Sequence, residues 1–226
     1  MNKELTFAEK VEYYAQSSQM ISANNGNRKT GKACLTLSFP TISCREDAPC
    51  KLSGNCYCLK GPQFCYATVL GAYYRNWRLW QENPKKFEEQ VNAIVCMNGL
   101  PLFRWCDAGD FPDYEFFLMT LRVAKKNPEV KFMAYTKKYD FINRYFDEDG
   151  KSFPNNYTLR FSQWDKSWEV PNPYGMLLAT VAFKESEKNP EIAKNAFWCK
   201  GGKETTCSQC RACWNKKIQQ VVFKQH

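Results

Sequence analysis

The C-terminal part of the chain holds a closely spaced run of cysteines. Cys207, Cys210 and Cys213 are separated by two residues each, and Cys199 precedes the run by eight positions. Two-residue gaps let successive thiolates turn back onto one metal centre, and bacterial ferredoxins use the same triple with a fourth ligand from elsewhere. Zinc held by four cysteines is the alternative, but a zinc ribbon has two separated pairs rather than three cysteines in one run. The spacing therefore favours a [4Fe–4S] cluster.

A second group of cysteines lies in the N-terminal third of the chain. Its members are Cys44, Cys50, Cys56, Cys58 and Cys65, which fall within 22 residues. This density predicts a second metal centre, so we expect two iron–sulfur clusters, at least one of them [4Fe–4S]. The number of metal atoms and the choice of ligands stay open. Cys56 and Cys58 face the same way in an extended chain, or serve two different metal atoms.

Three cysteines and the single histidine fall outside these groups. Cys34 is a possible extra ligand. Cys96 lies on the inner stripe of a predicted helix and is expected to be a buried thiol. Cys106 follows a predicted strand, where either burial or a role in a site is compatible with its position. His226 ends the sequence and is expected to be disordered, which argues against serine–histidine and cysteine–histidine catalysis and against zinc hydrolase sites built on histidine.

Composition indicates a soluble protein of a reducing compartment. The N-terminus lacks the apolar core of a signal peptide, and no stretch has the ~20 apolar residues that span a membrane. We expect a cytoplasmic location, where disulfides are rare, so the 12 cysteines call for metal. The net charge of +9 fits an acidic partner such as nucleic acid or an anionic small molecule, although the basic residues are scattered.

The chain is expected to form a single domain over 1–226, in three parts. Residues 34–75 are predicted to be irregular and cysteine-rich, 76–198 to alternate helix and strand, and 199–226 to form a cysteine tail that ends in a short basic helix. The patterns predict helices over 7–20, from Pro84 onward, over 113–126 and over 139–146, and strands over 102–105, 130–135, 158–161 and 176–182. Such alternation predicts an α/β fold, a partial β/α barrel with a mainly parallel sheet. An open doubly wound sheet is the second choice.

Polar residues follow or end several of the predicted strands. In a parallel sheet these residues lie at the carboxyl edge, where ligands bind. We expect carboxylates there to pair with nearby arginine or lysine. The predicted ligand-binding residues are Arg104, Asp107, Gly109, Asp110, Thr136, Lys137, Arg160 and Ser162.

Several short motifs resemble the bacteriophage "gene product eighty-eight" family and, more loosely, phage proteins described as radical-SAM-like. The motifs are Cys65-Tyr66-Ala67, Gly109-Asp110-Phe111, Ala134-Tyr135-Thr136 and the cysteine run that ends in Cys213-Trp214. The resemblance runs over about 38–214. It implies a phage protein with a partial β/α barrel and iron–sulfur sites, in the cytoplasm of the bacterial host. It also implies that 107–110 occupies the place where radical-SAM enzymes hold the amine of S-adenosylmethionine.

The chain departs from those enzymes in one respect. It has no Cys-x3-Cys-x2-Cys triplet, which in them leaves one iron open to the cofactor. This absence adds weight to a non-catalytic or electron-transfer role. Two hypotheses therefore stand: a redox or radical enzyme acting with a small-molecule substrate or electron donor, and a structural or regulatory metalloprotein that binds nucleic acid or a host factor.

Overall fold

The structure is a computed structural model that describes residues 5–61, 65–149, 152–201 and 204–225. The predicted role of His226 lies outside these residues. The helices are α1 (Phe7–Gln16), α2 (Pro49–Leu52), α3 (Ala67–Glu82), α4 (Pro84–Asn98), α5 (Tyr114–Lys126), α6 (Tyr139–Asp149) and α7 (Cys207–Cys210). The strands are β1 (Ala23–Asn24), β2 (Cys34–Leu37), β3 (Leu102–Trp105), β4 (Lys131–Thr136), β5 (Tyr157–Gln163), β6 (Leu177–Ala182), β7 (Phe197–Trp198) and β8 (Gln220–Lys224).

The strands form one mixed sheet of eight strands in the order β1-β2-β3-β4-β5-β6-β8-β7. Within the described ranges, β1 and β2 are the one antiparallel pair, and every other neighbouring pair is parallel. From β2 to β6 the spatial order follows the chain order, whereas a doubly wound sheet reverses direction. No pairing joins β1 to β7 in the described residues, so the sheet is open there. Right-handed crossovers in one direction place the intervening helices on one face.

Local sequence signals set the ends of the helices beside the sheet. The Asn83 side chain accepts a hydrogen bond from the Lys86 amide at 2.9 Å and Pro84 occupies the first turn, which confirms the predicted start of α4. Asp113 caps α5 in the same way, accepting from the Phe116 amide at 2.7 Å. These caps satisfy amides that the first helical turn leaves without partners.

An aromatic core lies between the sheet and the helices. Trp105 of β3 packs edge-on against Phe116 of α5, with ring centroids 5.7 Å apart, and Trp80 of α3 meets the same ring at 5.0 Å. All three side chains are buried. Each contributes on the order of 2 kcal/mol through burial, so this face of the sheet carries the main hydrophobic core.

The opposite face of the sheet is covered by the C-terminal segment. Trp214 packs against Leu102 and Met133, and its indole Nε1 donates to the Lys131 carbonyl at 3.0 Å. Polar and sulfur-containing side chains of the strands, including Cys34 and Arg104, point to this side. The alternation of the strands thus separates an aromatic face from a face able to carry chemistry.

Three sequence expectations are wrong. The segment predicted to be irregular begins with β2, all of whose residues are buried. The predicted basic C-terminal helix is β8, because the β-branched Val221 and Val222 pack between β6 and β7. Cys96 is exposed, since it lies one position beyond the buried stripe that includes Val95. Among the described residues, no helix combines the length and apolar character needed to cross a membrane.

Candidate functional site

A cavity of about 380 Å³ opens at the carboxyl edge of the parallel strands. Its walls come from the loops after β3, β4 and β5, from the segment after β2, and from the C-terminal tail. Eight cysteines line it: Cys44, Cys50, Cys56, Cys58, Cys106, Cys199, Cys207 and Cys213. Thiols from segments far apart in the sequence therefore line one cavity.

The segment after β2 is held against the loop after β3 by a ladder of hydrogen bonds. The Cys106 amide donates to the Leu37 carbonyl at 2.8 Å, and the Asp110 amide donates to the Ser43 hydroxyl at 2.9 Å. Gly109 has φ +78°, and a Cβ atom there would lie 2.6 Å from the Ser43 hydroxyl oxygen. This close approach, available to glycine alone, brings Cys44 beside the β3 loop.

The N-terminal thiols of the cavity contact one another. Hydrogen bonds connect Cys50 to Cys56 and Cys56 to Cys58. The bond to Cys56 is the main cause that raises the pKa of Cys50, and burial raises the pKa of Cys44 to about 12. Cys58 differs, because its hydrogen bond to Cys56, assisted by the Gly109 amide, lowers its pKa. Cys58 is therefore the thiol of this group whose pKa is lowered, whereas the pKa values of Cys44, Cys50 and Cys56 are raised.

The C-terminal thiols are positioned by the loop that precedes β2. The Cys207 amide donates to the Lys29 carbonyl at 2.9 Å, and the next amide, of Ser208, donates to the Thr30 carbonyl at 3.0 Å. A Cβ atom at Gly31, whose φ is +79°, would lie 2.3 Å from the Ser208 hydroxyl oxygen, so only glycine permits this contact. Burial raises the pKa of Cys207 to about 11.

Two of the nine predicted metal ligands lie outside the cavity. Cys65 and Cys210 are both exposed and do not line it, whereas the other seven do. Cys34 is fully buried within the cluster that contains Trp214, and Cys207 packs against this cluster. Burial raises the pKa of Cys34 to about 12. Cys106, whose backbone has φ +50°, adds a thiol that the spacing patterns did not assign.

Seven of the eight predicted ligand-binding residues line the same cavity; Arg160 does not. Arg104 and Asp107 form an ion pair at 2.9 Å, which confirms the predicted pairing of a carboxylate with an arginine. The buried Asp110 accepts hydrogen bonds from the Thr136 hydroxyl at 2.7 Å and the Lys137 amide at 2.8 Å. Burial outweighs these bonds and raises the pKa of Asp110.

Arg160 has a structural position instead. Its side chain is fully buried and donates to the backbone carbonyls of Cys213 at 3.1 Å, Asn215 at 2.9 Å and Ile218 at 2.8 Å. The guanidinium therefore ties the tail to β5 and has no bond to the carboxylates of the loop after β3. The structure therefore places Arg160 outside the predicted ligand site.

The donor set has the chemistry that a thiophilic metal prefers, but the thiols in the described part of the chain are not arranged around a metal position. Thiolates favour zinc and iron–sulfur clusters, and the Arg104 Nε, buried beside the C-terminal thiols, has no hydrogen-bond partner among the described residues. Such an orphaned donor is suited to a sulfur or anionic acceptor. Within the described residues, however, no group of three or more histidine, cysteine or acidic side chains is already arranged around a metal position. Metal binding therefore requires the thiols to lose protons and to turn.

Sequence reasoning missed several residues of the cavity. Lys29 comes from the loop that precedes β2, where no motif points to a site, and Lys224 lies in the strand predicted as a helix. Tyr135 and Phe223 also line the cavity. Only knowledge of strand register could have found the aromatic residues, because core and cavity side chains of a buried strand have the same composition.

The chain was compared with known proteins. The family model described as gene product 88 matches residues 9–216, well over half of the chain. No curated protein and no solved structure gives a significant match.

Proposed function

This chain belongs to the gene product 88 family, and we propose that it is an iron–sulfur protein whose cavity carries redox chemistry. The observation that supports this proposal is the convergence of thiols from 44–58 and 199–213 on one cavity at the carboxyl edge of the sheet. These segments have little regular structure of their own, so a bound metal would also hold them in place.

The ligands fall into two sets. Cys44, Cys50, Cys56 and Cys58 would hold one cluster. Cys199, Cys207 and Cys213 would hold the other, with Cys34 close to Cys207 and Cys210 outside. An iron–sulfur cluster would supply one-electron transfer, at a potential set by charge, hydrogen bonds and exposure.

The chain supplies a cation to each set of thiols. Burial raises the pKa of Cys207 and Cys213, and the charge of Arg104 offsets part of that rise. The charge of Lys137 likewise offsets part of the rise that burial causes in the pKa of Cys44 and that the bond to Cys56 causes in the pKa of Cys50. Positive charge beside a thiolate centre offsets its negative charge and favours the reduced form. Both cations are therefore placed to raise the reduction potential of their centre.

The finer parts of the fold and the setting belong to the same proposal. The sequential order of β2 to β6 supports a partial β/α barrel, since that order places the crossovers on one side. We expect the protein to be encoded by a phage and to act in the cytoplasm of the host, where thiols stay reduced.

The radical branch of the hypothesis is less well supported than the redox branch. The amine of S-adenosylmethionine would need a free carboxylate, but Asp107 is paired with Arg104 and Asp110 already accepts several hydrogen bonds. Incubation of the reduced, anaerobic protein with S-adenosylmethionine separates the branches. We expect no 5′-deoxyadenosine, and its formation would establish the radical branch.

Anaerobic purification tests the proposal itself. We expect brown protein that contains iron and acid-labile sulfide, with absorbance at about 400 nm that bleaches with dithionite. Colourless protein with stoichiometric zinc and no sulfide would replace the proposal with the alternative, a structural or regulatory metalloprotein that binds nucleic acid or a host factor.

A further inference from the structure

The cavity extends beyond the thiols along an apolar wall formed by neighbouring strands. Ser162 of β5 is in register with Ala179 of β6, and Val181 of β6 is in register with Phe223 of β8. These four side chains all line the cavity, and Trp164 continues the wall beyond β5. An apolar wall with a few polar groups at one end is the usual form of a small-molecule site.

The charged groups of the cavity differ in whether they already have partners of opposite charge. The two arginines pair with carboxylates, Arg45 with Asp47 at 2.8 Å and Arg104 with Asp107 at 2.9 Å. Asp110 is occupied as well, because its Oδ1 accepts from the Phe111 amide and the Thr136 hydroxyl and its Oδ2 from the Lys137 amide. The carboxylates that line the cavity therefore already have partners within the protein.

The lysines of the cavity are in the opposite position. Lys29, Lys137 and Lys224 all line it, and none forms an ion pair in the part of the chain that the structure describes. The Lys137 ammonium donates to the Ser162 hydroxyl at 2.9 Å, which leaves two of its three protons for other acceptors. The uncommitted charge of the cavity is therefore positive.

We propose that the cavity binds a small organic oxyanion with an apolar body. The anionic group, a carboxylate or a phosphate monoester, lies on the Lys137 ammonium and the Ser162 hydroxyl. The apolar body lies along Ala179 and Val181, which are adjacent to Ser162 on the same face of the sheet. A cationic or zwitterionic ligand does not fit, because it would need a carboxylate that the site has already paired.

This inference names the ligand class of the proposed redox site, but it stands on the cavity and not on the metal. The competing use of the lysines is as counter-charges of the thiolates, since Lys137 lies close to Cys44 and Cys50. If that were their whole role, the metal-loaded protein would have no spare positive charge. The metal content of each preparation is therefore measured separately from ligand binding.

Four probes with one aromatic body test the charge preference. Benzoate, phenyl phosphate, benzyl alcohol and benzylamine are titrated into the anaerobically purified protein, and dissociation constants are measured by calorimetry or ligand-observed NMR. We expect at least one anion to bind about ten-fold more tightly than the alcohol or the amine, a difference of about 1.4 kcal/mol. The stronger of the two anions identifies the oxyanion as a carboxylate or a phosphate.

Two neighbouring lysines provide the matched variants. Lys137→Gln should abolish the anion preference, whereas Lys138→Gln should keep it, because Lys138 lies over the Phe141 ring and does not line the cavity. Any of three results would overturn the inference. These are equal binding of all four probes, equal effects of the two variants, and anion binding that appears only after the metal is removed from metal-loaded protein. If the protein as purified contains no iron but still prefers the anions, the inference stands and only the iron–sulfur proposal is rejected.

Discussion

Arg160 offers the sharpest test of how the tail is attached to the sheet. Its guanidinium makes its three shortest hydrogen bonds to the carbonyls of Cys213, Asn215 and Ile218, at 2.8 to 3.1 Å. Arg160→Leu leaves these three acceptors without their donor, and each such loss costs about 1–3 kcal/mol. Even at the lower bound the free energy of unfolding should fall by about 3 kcal/mol, a large part of the ~5–15 kcal/mol of a typical domain.

Urea denaturation of the metal-free protein measures this loss, and iron analysis measures its consequence for the C-terminal centre. Arg160→Lys should lose less, because one ammonium can reach fewer of the carbonyls. Arg144→Leu is the control, because Arg144 is exposed and its contacts, an ion pair with Glu148 and the Tyr114 ring at 4.3 Å, lie at the surface. If the free energy of unfolding of Arg160→Leu lies within about 1 kcal/mol of the wild-type value, the Arg160 hydrogen bonds do not hold the tail on the sheet.

Three further predictions concern the site. Gly31→Ala should lower both the melting temperature and the iron content, because the added Cβ atom would meet the Ser208 hydroxyl. Gly54→Ala is the control, since it has open space around it and should cost only about 1 kcal/mol of left-handed backbone strain. Equal losses in melting temperature for the two variants would refute this. Brief treatment of the native protein with N-ethylmaleimide should label the exposed Cys210 and spare the buried Cys34, whose pKa is raised to about 12, as read by peptide mass spectrometry; protection of Cys210 would make it a ligand. The raised pKa of Asp110 means that the folded protein binds this proton more tightly than the unfolded chain does. The contribution of this proton to the free energy of unfolding is therefore fully present below the ordinary value of 3.8 and is lost as pH rises from there through the raised pKa. Asp110→Asn should flatten that fall in melting temperature, and an unchanged pH profile would contradict it.

Much of the helix and strand pattern was predictable because it rests on local signals. Asn83 with Pro84 starts α4, and the polar residues after β3 are where the parallel sheet requires them. β2 and β8 were not predictable in the same way. Cys34 belongs to a buried strand although its neighbours suggested a metal-binding loop, and Val221 needed its partners in β6 and β7 to show that it forms a strand.

The site was predictable in composition but not in assembly. Spacing alone grouped Cys210 with Cys207, yet only Cys207 faces the cavity. Spacing also could not show that the Lys29 carbonyl, in the loop before β2, accepts a hydrogen bond from the Cys207 amide. Nor could it separate Arg104, which lines the cavity, from Arg160, which binds the tail. These distinctions depend on strand register and on long-range contacts.

The iron content of single cysteine variants tests the central claim most directly. Cys56→Ser and Cys207→Ser each remove one thiol from a different side of the cavity, and Cys96→Ser removes an exposed thiol outside it. After anaerobic purification, the two cavity variants should each lose the iron and sulfide of one centre, while Cys96→Ser should match the wild type. Cavity variants that retain the iron and sulfide of the wild type would contradict a thiolate-bound iron–sulfur site in this cavity.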